Sequence, residues 1–237
     1  DTFGACAQGF GFVMTMGSGE LLVGKDADDY PIISATENAT RFIDVVTYLS
    51  DKISDNPALY QGEGATVSAL FGNGQSLFYA EVLMHAQTMR VNYDVDFGII
   101  PMPKLNDTQD KYITSVTVYG CDVFAVPKSN ESKLDVTCYA LEAMAYFGKV
   151  KVTPEYYDRT LTLKRLKDTE SGEMLDIIFD NITLDLGDTV WYEAVRVKLN
   201  PQINNKRTDT ASFLTKLQKS VDKTIQKAID ALNALEG

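Results

Sequence analysis

Hydrophobic side chains recur along this chain with two spacings, and each spacing predicts a different element. Apolar residues three and four positions apart share one face of a helix, whereas alternate residues share one face of a strand. The helical spacing is clearest at the end of the chain, where it predicts an amphipathic helix over 212–235. The apolar stripe of this helix consists of Leu214, Leu217, Val221, Ile225, Ala228, Leu232 and Leu235. We expect the stripe to pack in the core and not to span a membrane, because it is too narrow, and its flanks too charged, for a membrane helix.

A second amphipathic helix is predicted after a capping box formed by Ser34 and Glu37. Its apolar face consists of Phe42, Val45, Val46, Leu49 and Ile53. Further helices are predicted over 65–71, 131–147, 170–180 and 189–199. The last of these should end before Pro201, because the residue that precedes a proline disfavours the helical conformation.

Several runs have the alternation and the β-branched or aromatic content of strands. One lies within residues 3–24 and leads into a short buried helix. The others are SLFYAEVL after the turn Gly72-Asn73-Gly74, VDFGIIPMP at 95–103, and the pair YITSVTVY and DVFAVP within 112–127. Proline cannot donate to a strand ladder, so the run at 95–103 must stop or leave its sheet. The mixture of helices and strands, without a strict βαβ rhythm, indicates an α/β fold with interrupted sheets.

Composition narrows the classes of function. The 237 residues are 45% hydrophobic, which is enough for a well-filled core, and they carry a formal net charge of −11. A nucleic-acid-binding surface needs clustered lysines and arginines, so this balance argues against a nucleic-acid partner. The sequence has no run of 18 or more apolar residues, so none of its segments is predicted to span a membrane.

The three cysteines and the single histidine predict neither a metal site nor a cofactor. Cys6, Cys121 and Cys138 form no CxxC pair and lack metal-ligand spacing. We therefore interpret them as small buried hydrophobes, with a disulfide as the alternative. Because His85 is alone, a Ser-His-Asp triad or a histidine-rich metal centre is not expected.

Four consecutive segments resemble those of one protein family. They are FGNGQSLFYAE at 71–81, VDFGIIPMPK at 95–104, SVTVYGCDVFAVPK at 115–128 and the helix at 131–147. In this order they resemble the carbohydrate-binding, maltose-binding-protein-like branch of the extracellular solute-binding proteins, which capture ligands for bacterial ABC importers. The stretch VWYEAVR at 190–196 resembles the family's Trp-Tyr helix near the ligand cleft. The opening at 3–53 resembles the start of the family's second lobe, and the final helix at 212–235 resembles its terminal helix. The ordered set therefore covers nearly the whole chain, and it is the order that makes the resemblance specific.

The resemblance implies a type II periplasmic-binding-protein fold, of which this chain would hold mainly the second lobe. It also implies that the chain is a fragment lacking most of the first lobe, and that the protein is lipid-anchored on the extracellular face of the membrane or periplasmic. The implied divisions are 1–97 for the first part of the second lobe, 98–103 for a hinge strand with Gly98, Pro101 and Pro103, 104–152 for a first-lobe segment, and 153–237 for the hinge return and the C-terminal helices.

The same resemblance implies a carbohydrate site without catalysis. Sugar binding needs aromatic rings against the C–H face of the ring and polar side chains for its hydroxyls. Trp191, the only tryptophan, is predicted to stack on the sugar, with core burial as the alternative. Glu81 is predicted to meet a hydroxyl, with pairing to a surface lysine as the alternative. The remaining predicted ligand residues are Phe10 and Phe12, for which core packing is the alternative, and Tyr119, Asp122 and Asp188.

Two partners are also expected. A loaded, closed protein would dock on the membrane subunits of an ABC permease. The strands at 112–127 and the helix at 131–147 should present apolar faces that pair with the missing N-terminal lobe or with a second copy of the chain. The alternative functions are a secreted carbohydrate-active enzyme and a non-catalytic adhesion domain. The absence of GxSxG, P-loop and GxGxxG motifs gives the enzyme no support.

Overall fold

The computed structural model describes residues 2–34, 39–120, 122–156, 170–205 and 209–235. Helices hold 55% and strands 10% of the structure, so the α/β class is confirmed at this coarse level, with small parallel sheets. The type II architecture and its division into lobes stay predictions. The predicted capping residue Glu37 lies outside the described residues, as does Cys121.

A three-stranded parallel sheet organises the first part of the chain. Its strands are β1 (Phe3–Ala7), β4 (Leu59–Gln61) and β5 (Ser76–Ala80), and β1 lies between the other two. Ala7 pairs with both Gln61 and Ala80, so the three strands end at the same level. Their carboxyl ends therefore meet at one edge of the sheet.

Helices cover both faces of this sheet. On one face, α1 (Phe10–Gly17) and α2 (Ala39–Ile53) pack through Phe10, Val45 and Leu49 against the alternate strand residues Ala5 and Ala7. On the other face lies α3 (Gly64–Gly72), where Cys6 Sγ is 3.4 Å from the carbonyl oxygen of Val67. Successive side chains of a strand point to opposite faces, which accounts for this division.

The turn after α3 has the predicted position and a physical reason for its glycine. Gly74 has a φ of +70°, a left-handed conformation that glycine adopts without a steric penalty. The chain then enters β5, as predicted, and continues into α4 (His85–Asn92). A short antiparallel hairpin, β2 (Gly24–Lys25) with β3 (Pro31–Ile32), connects α1 to α2.

The main hydrophobic core joins the two ends of the chain. Two C-terminal helices, α8 (Arg196–Asn204) and α9 (Thr210–Asn233), contribute to it together with Phe12 of α1 and Phe42 of α2. The predicted stripe of α9 is buried from Leu214 to Ile225. The prediction is wrong for its end, because Leu232 in the last turn of the helix is 63% exposed and Leu235, which follows the helix, is 82% exposed.

Some predicted strands are absent. Residues 93–113 form neither helix nor strand, so no strand forms at 95–103 and the hinge segment 98–103 is not a strand. Two prolines in this run lack the amide hydrogen that a ladder needs. Among the described residues of 112–127, which leave out 121, only β6 (Thr114–Ser115) pairs, in parallel with β7 (Ile182–Thr183). A 3-10 turn follows at Val118–Gly120.

The helix α7 (Glu170–Asp180) has the predicted bounds. The helix predicted at 189–199 is displaced, because residues 186–195 form turns and α8 begins only at Arg196. Pro201 lies inside α8 and does not end it. Its missing amide hydrogen frees the carbonyl of Val197, a residue that is 39% exposed and can therefore be solvated.

The helix α5 (Leu134–Phe147) stands apart from the core. A 3-10 segment (Lys128–Lys133) precedes it, and a π-helical turn (Gly148–Val152) and α6 (Thr153–Tyr156) follow it. None of the residues of α5 is buried. The predicted exposure of apolar side chains on this helix is therefore confirmed. The strongly exposed ones are Val136, Tyr139, Met144, Tyr146 and Phe147.

The described cysteines behave differently from each other. Cys6 is a free, fully buried thiol, as predicted. Cys138 is also free but exposed, so the prediction of burial is wrong there, because it lies on α5, none of whose residues is buried. Within the described ranges, every helix is too short or too polar to cross a lipid bilayer.

Candidate functional site

Two polar side chains meet at the carboxyl edge of the parallel sheet. Gln8 directly follows β1, and Glu81 directly follows β5. The Gln8 amide nitrogen donates a hydrogen bond of 2.9 Å to Glu81 Oε2, and the backbone amide of Val82 donates one of 3.0 Å to Glu81 Oε1. Gln8 is exposed and Glu81 half-buried, so the pair is fixed in place and still reachable from solvent.

The end of β4 completes this edge. Gln61 Oε1 accepts a 3.0 Å hydrogen bond from the backbone amide of Phe10, which ties the end of β4 to the start of α1. The loop that follows contains Gly62 and Gly64. A Cβ at Gly64 would lie 3.1 Å from the Gln8 amide nitrogen, so this glycine leaves room for the Gln8 side chain.

The order of the strands gives this edge its significance. The chain runs from β1 to the neighbouring β4 and then crosses β1 to reach β5 on the other side. Its connecting helices lie on opposite faces of the sheet, as the contacts of Ala7 and Cys6 show. In open α/β sheets, ligands bind outside the carboxyl ends of the strands where the connections diverge in this way. Gln8 and Glu81 occupy that position, between β1 and β5.

An aromatic cluster lies beside the Gln8–Glu81 pair. The Tyr79 hydroxyl is 3.0 Å from the Ser68 hydroxyl and 2.9 Å from Nδ1 of His85, and the ring of Phe71 stacks on Tyr79 at 5.5 Å. Burial raises the pKa of Tyr79 to about 12; the Ser68 hydrogen bond opposes this rise and the charge of Glu81 adds to it. The Tyr79 phenol therefore stays protonated at neutral pH.

Both phenylalanines that were predicted to line a cleft are buried. Phe10 is 2% exposed and packs in the small core under the sheet, and Phe12 is 4% exposed in the main core. Core packing, the alternative stated for both, is what the structure shows. The reason is their place on α1, which is enclosed by the sheet, α2 and α8.

Asp188 lies in a second polar cluster. It is 1% exposed, and its carboxylate accepts hydrogen bonds from Arg196 Nη1 at 2.5 Å and from the Ser115 hydroxyl at 3.1 Å. The Arg196 guanidinium lies over the ring of Phe12 at 3.8 Å and near the ring of Tyr192 at 5.3 Å. Burial raises the pKa of Asp188, and the charge of Arg196 counteracts the rise. Asp188 is thus engaged by protein groups in this structure.

The remaining predicted ligand residues are Trp191, Tyr119 and Asp122. Trp191 is half-buried and packs on the main core, which agrees with the alternative of core burial. Tyr119 is 87% exposed, and Asp122 is exposed as well. Burial raises the pKa of Tyr192, the charge of Arg196 opposes the rise, and the nearby Tyr119 adds to it. Tyr119 therefore lies close to the cluster formed by Asp188 and Arg196.

The three predicted hinge residues lie in an irregular segment. Pro101 is buried, whereas Gly98 and Pro103 are exposed. The amide of Ile99 donates a 3.3 Å hydrogen bond to the Ser171 hydroxyl on α7. This hydrogen bond thus attaches the segment to α7.

The important side chains that the sequence reasoning missed are Gln8, Gln61 and Arg196. A signal existed for Gln8, because it follows the strand FGACA just as Glu81 follows SLFYA. For Arg196 the sequence offers only a cation between Glu193 and Lys198, which does not indicate a buried partner at Asp188.

Protein-family models, curated proteins and solved structures were each searched with this chain, and none matches it. The resemblance to solute-binding proteins therefore rests on the ordered segments of the sequence.

Proposed function

We propose that this chain binds a neutral, hydroxyl-rich solute, a carbohydrate, at the carboxyl edge of its parallel sheet. The observation that carries the proposal is the Gln8–Glu81 pair, held at 2.9 Å where the strand connections diverge. An amide and a carboxylate side by side offer one donor and several acceptors, which is the complement of adjacent sugar hydroxyls.

The surroundings of the pair favour this class of ligand. Tyr79, which lies close enough to Glu81 for that charge to raise its pKa, supplies aromatic surface together with Phe71, which stacks on it, and sugar rings bind against such surface through their C–H groups. The chain carries a net charge of −11, which disfavours phosphorylated and other anionic solutes. A neutral polyol satisfies both conditions.

The physiological role we propose is extracytoplasmic capture of an oligosaccharide for delivery to an ABC permease, without catalysis. The ordered segments that resemble the solute-binding proteins support this role. In that scheme, residues 98–103 serve as the hinge, Trp191 contributes its ring from the second lobe, and Tyr119 reaches the sugar from the first-lobe segment when the lobes close.

Calorimetric titration with a panel of neutral oligosaccharides tests the proposal. We expect Glu81→Gln to weaken binding about 10- to 100-fold, because hydrogen bonds to charged groups contribute about 1.5–3 kcal/mol. Glu173→Gln, the same change on the exposed surface of α7, is the matched control and should leave affinity unchanged. Absence of binding across the panel up to about 10 mM would overturn the proposal.

Because Trp191 is the only tryptophan in the sequence, its fluorescence tests the proposed stacking on the sugar separately from binding at the sheet edge. If Trp191 stacks on the sugar, its fluorescence emission must shift in step with the calorimetric signal. Binding with unchanged emission would restrict the site to the sheet edge. A parallel assay for new reducing ends distinguishes binding from hydrolysis, and turnover would favour the secreted carbohydrate-active enzyme instead.

A further inference from the structure

The apolar face of α5 has the spacing of a helix that pairs with another helix. Val136, Tyr139, Ala143 and Tyr146 follow one another at intervals of three, four and three residues. This is the seam of a heptad repeat, in which such positions face a partner helix. The three large side chains of this seam are 61–79% exposed, so the seam is uncovered in the single chain.

Charged residues border this seam on one side at intervals of seven. They are Asp135 and Glu142 of α5 and Lys149 of the π-helical turn that continues it, each directly before a position of the seam or its continuation. In an antiparallel helix pair, residues at these flanking positions meet the same positions of the partner helix. Asp135 of one copy would then lie opposite Lys149 of the other, and Lys149 opposite Asp135.

The same register also matches the seam itself. Antiparallel pairing that sets Val136 against Tyr146 of the other copy also sets Tyr139 against Ala143, so a large residue meets a smaller one in each layer. Glu142 would meet its own copy near the two-fold axis. This is the one unfavourable contact of the arrangement, and it involves side chains that remain partly hydrated.

We propose that two copies of this chain associate through an antiparallel pairing of their α5 helices. The 14 residues of α5 span about 21 Å, which makes this a small contact by the standards of stable dimers. The exposed Phe147, whose ring contacts that of Tyr146 in the seam, adds apolar area. The dimer should therefore be concentration-dependent. It does not depend on carbohydrate binding at the sheet edge.

Sedimentation equilibrium of the chain, from about 1 µM to about 1 mM, tests the association. We expect the mass to rise from the 26.2 kDa of one chain toward twice that value. A monomer throughout this range overturns the proposal and favours a different polypeptide as the occupant of the face.

Charge exchange tests the geometry. Asp135→Lys and Lys149→Asp each place like charges opposite one another at both ends of the pair, and each should weaken dimerisation about tenfold. The double variant Asp135→Lys/Lys149→Asp restores both ion pairs and should return the dissociation constant to that of the parent. Glu142→Gln removes the unfavourable contact and should strengthen dimerisation. These side chains lie outside the core, so circular dichroism should show unchanged folding in every variant.

The charge-exchange variants also distinguish this pairing of α5 helices from other modes of association. If a dimer forms but the single variants leave its dissociation constant unchanged, the pairing uses a different surface. If the double variant is as weak as the single ones, α5 does not pair in this register. Either result refutes the proposal.

Discussion

The buried ion pair between Asp188 and Arg196 allows a quantitative prediction about stability. The change is Arg196→Met, which keeps an unbranched side chain over Phe12 and removes the charge. Asp188 would then be 1% exposed and without its cation, and its other observed partner is the single hydroxyl of Ser115. Leaving one partner of a buried pair uncompensated costs about 3–5 kcal/mol, so we expect a loss of this size in the free energy of unfolding at pH 7.

The pH dependence follows from the direction of the pKa shift. Burial already raises the pKa of Asp188, and the charge of Arg196 lowers it. Without Arg196 this pKa rises further, so the folded state of the variant binds a proton more readily than the unfolded state. Stability then decreases as pH rises between the two pKa values, and the variant should recover part of its loss as pH falls from about 7 to about 5.

Urea unfolding at both pH values measures these effects. The double variant Asp188→Asn/Arg196→Met removes both charges and should regain most of the loss at pH 7. Lys25→Met is the matched control, because the Lys25–Asp29 pair is exposed (62% and 85%) and should contribute less than about 1 kcal/mol. A loss below about 1 kcal/mol for Arg196→Met, or a double variant no more stable than the single one, would refute the reasoning.

Three further changes have clear expected outcomes. Gly11→Ala should cost about 1–3 kcal/mol in urea unfolding, since its Cβ would lie 2.2 Å from Asn204 Oδ1 where α1 meets α8; a neutral effect would contradict this close packing. Leu217→Ala should lower the free energy of unfolding by about 2–5 kcal/mol, because Leu217 is buried. Leu232→Ala on the same helix should change it by less than about 0.5 kcal/mol, because Leu232 is exposed, and equal losses would disprove the burial pattern of α9. Carbon-13 NMR should find that the Tyr79 phenol has a pKa of about 12, above the ordinary value near 10. The contribution of this raised pKa to stability is then complete below about pH 10 and is lost as pH rises toward about 12. An ordinary pKa would contradict the burial of Tyr79.

The sequence predicted the elements whose hydrophobic period is strong. The second helix has every predicted apolar residue from Phe42 to Ile53 buried, and α7 has the predicted bounds. The predictions succeed for these helices because each helix has the core on one side and solvent on the other, which imposes a regular pattern of hydrophobic and polar residues. The exposed apolar face of α5 was also predicted, from the resemblance, which implies that the lobe it would pack against is missing.

The sequence failed where local pattern and tertiary context disagree. The run at 95–103 has strand composition, but its prolines cannot join a ladder and no neighbouring strand is placed beside it. Phe10 and Phe12 resemble cleft residues only while their helix is treated in isolation. The Asp188–Arg196 pair depends on side-chain directions within a series of turns, which no spacing rule describes.

The main core is assembled from the two ends of the chain, with residues from Phe12 to Val46 on one side and from Val195 to Ile225 on the other. Asp185 connects the same regions, because its carboxylate accepts hydrogen bonds from the backbone amides of Leu22 and Val23. Contacts between such distant parts of a chain close large loops and form late in folding. During synthesis, α1 and α2 therefore keep part of their apolar faces uncovered until α8 and α9 have left the ribosome. The rate of translation, and protection of the nascent chain in that interval, therefore affect how efficiently this molecule reaches its native state.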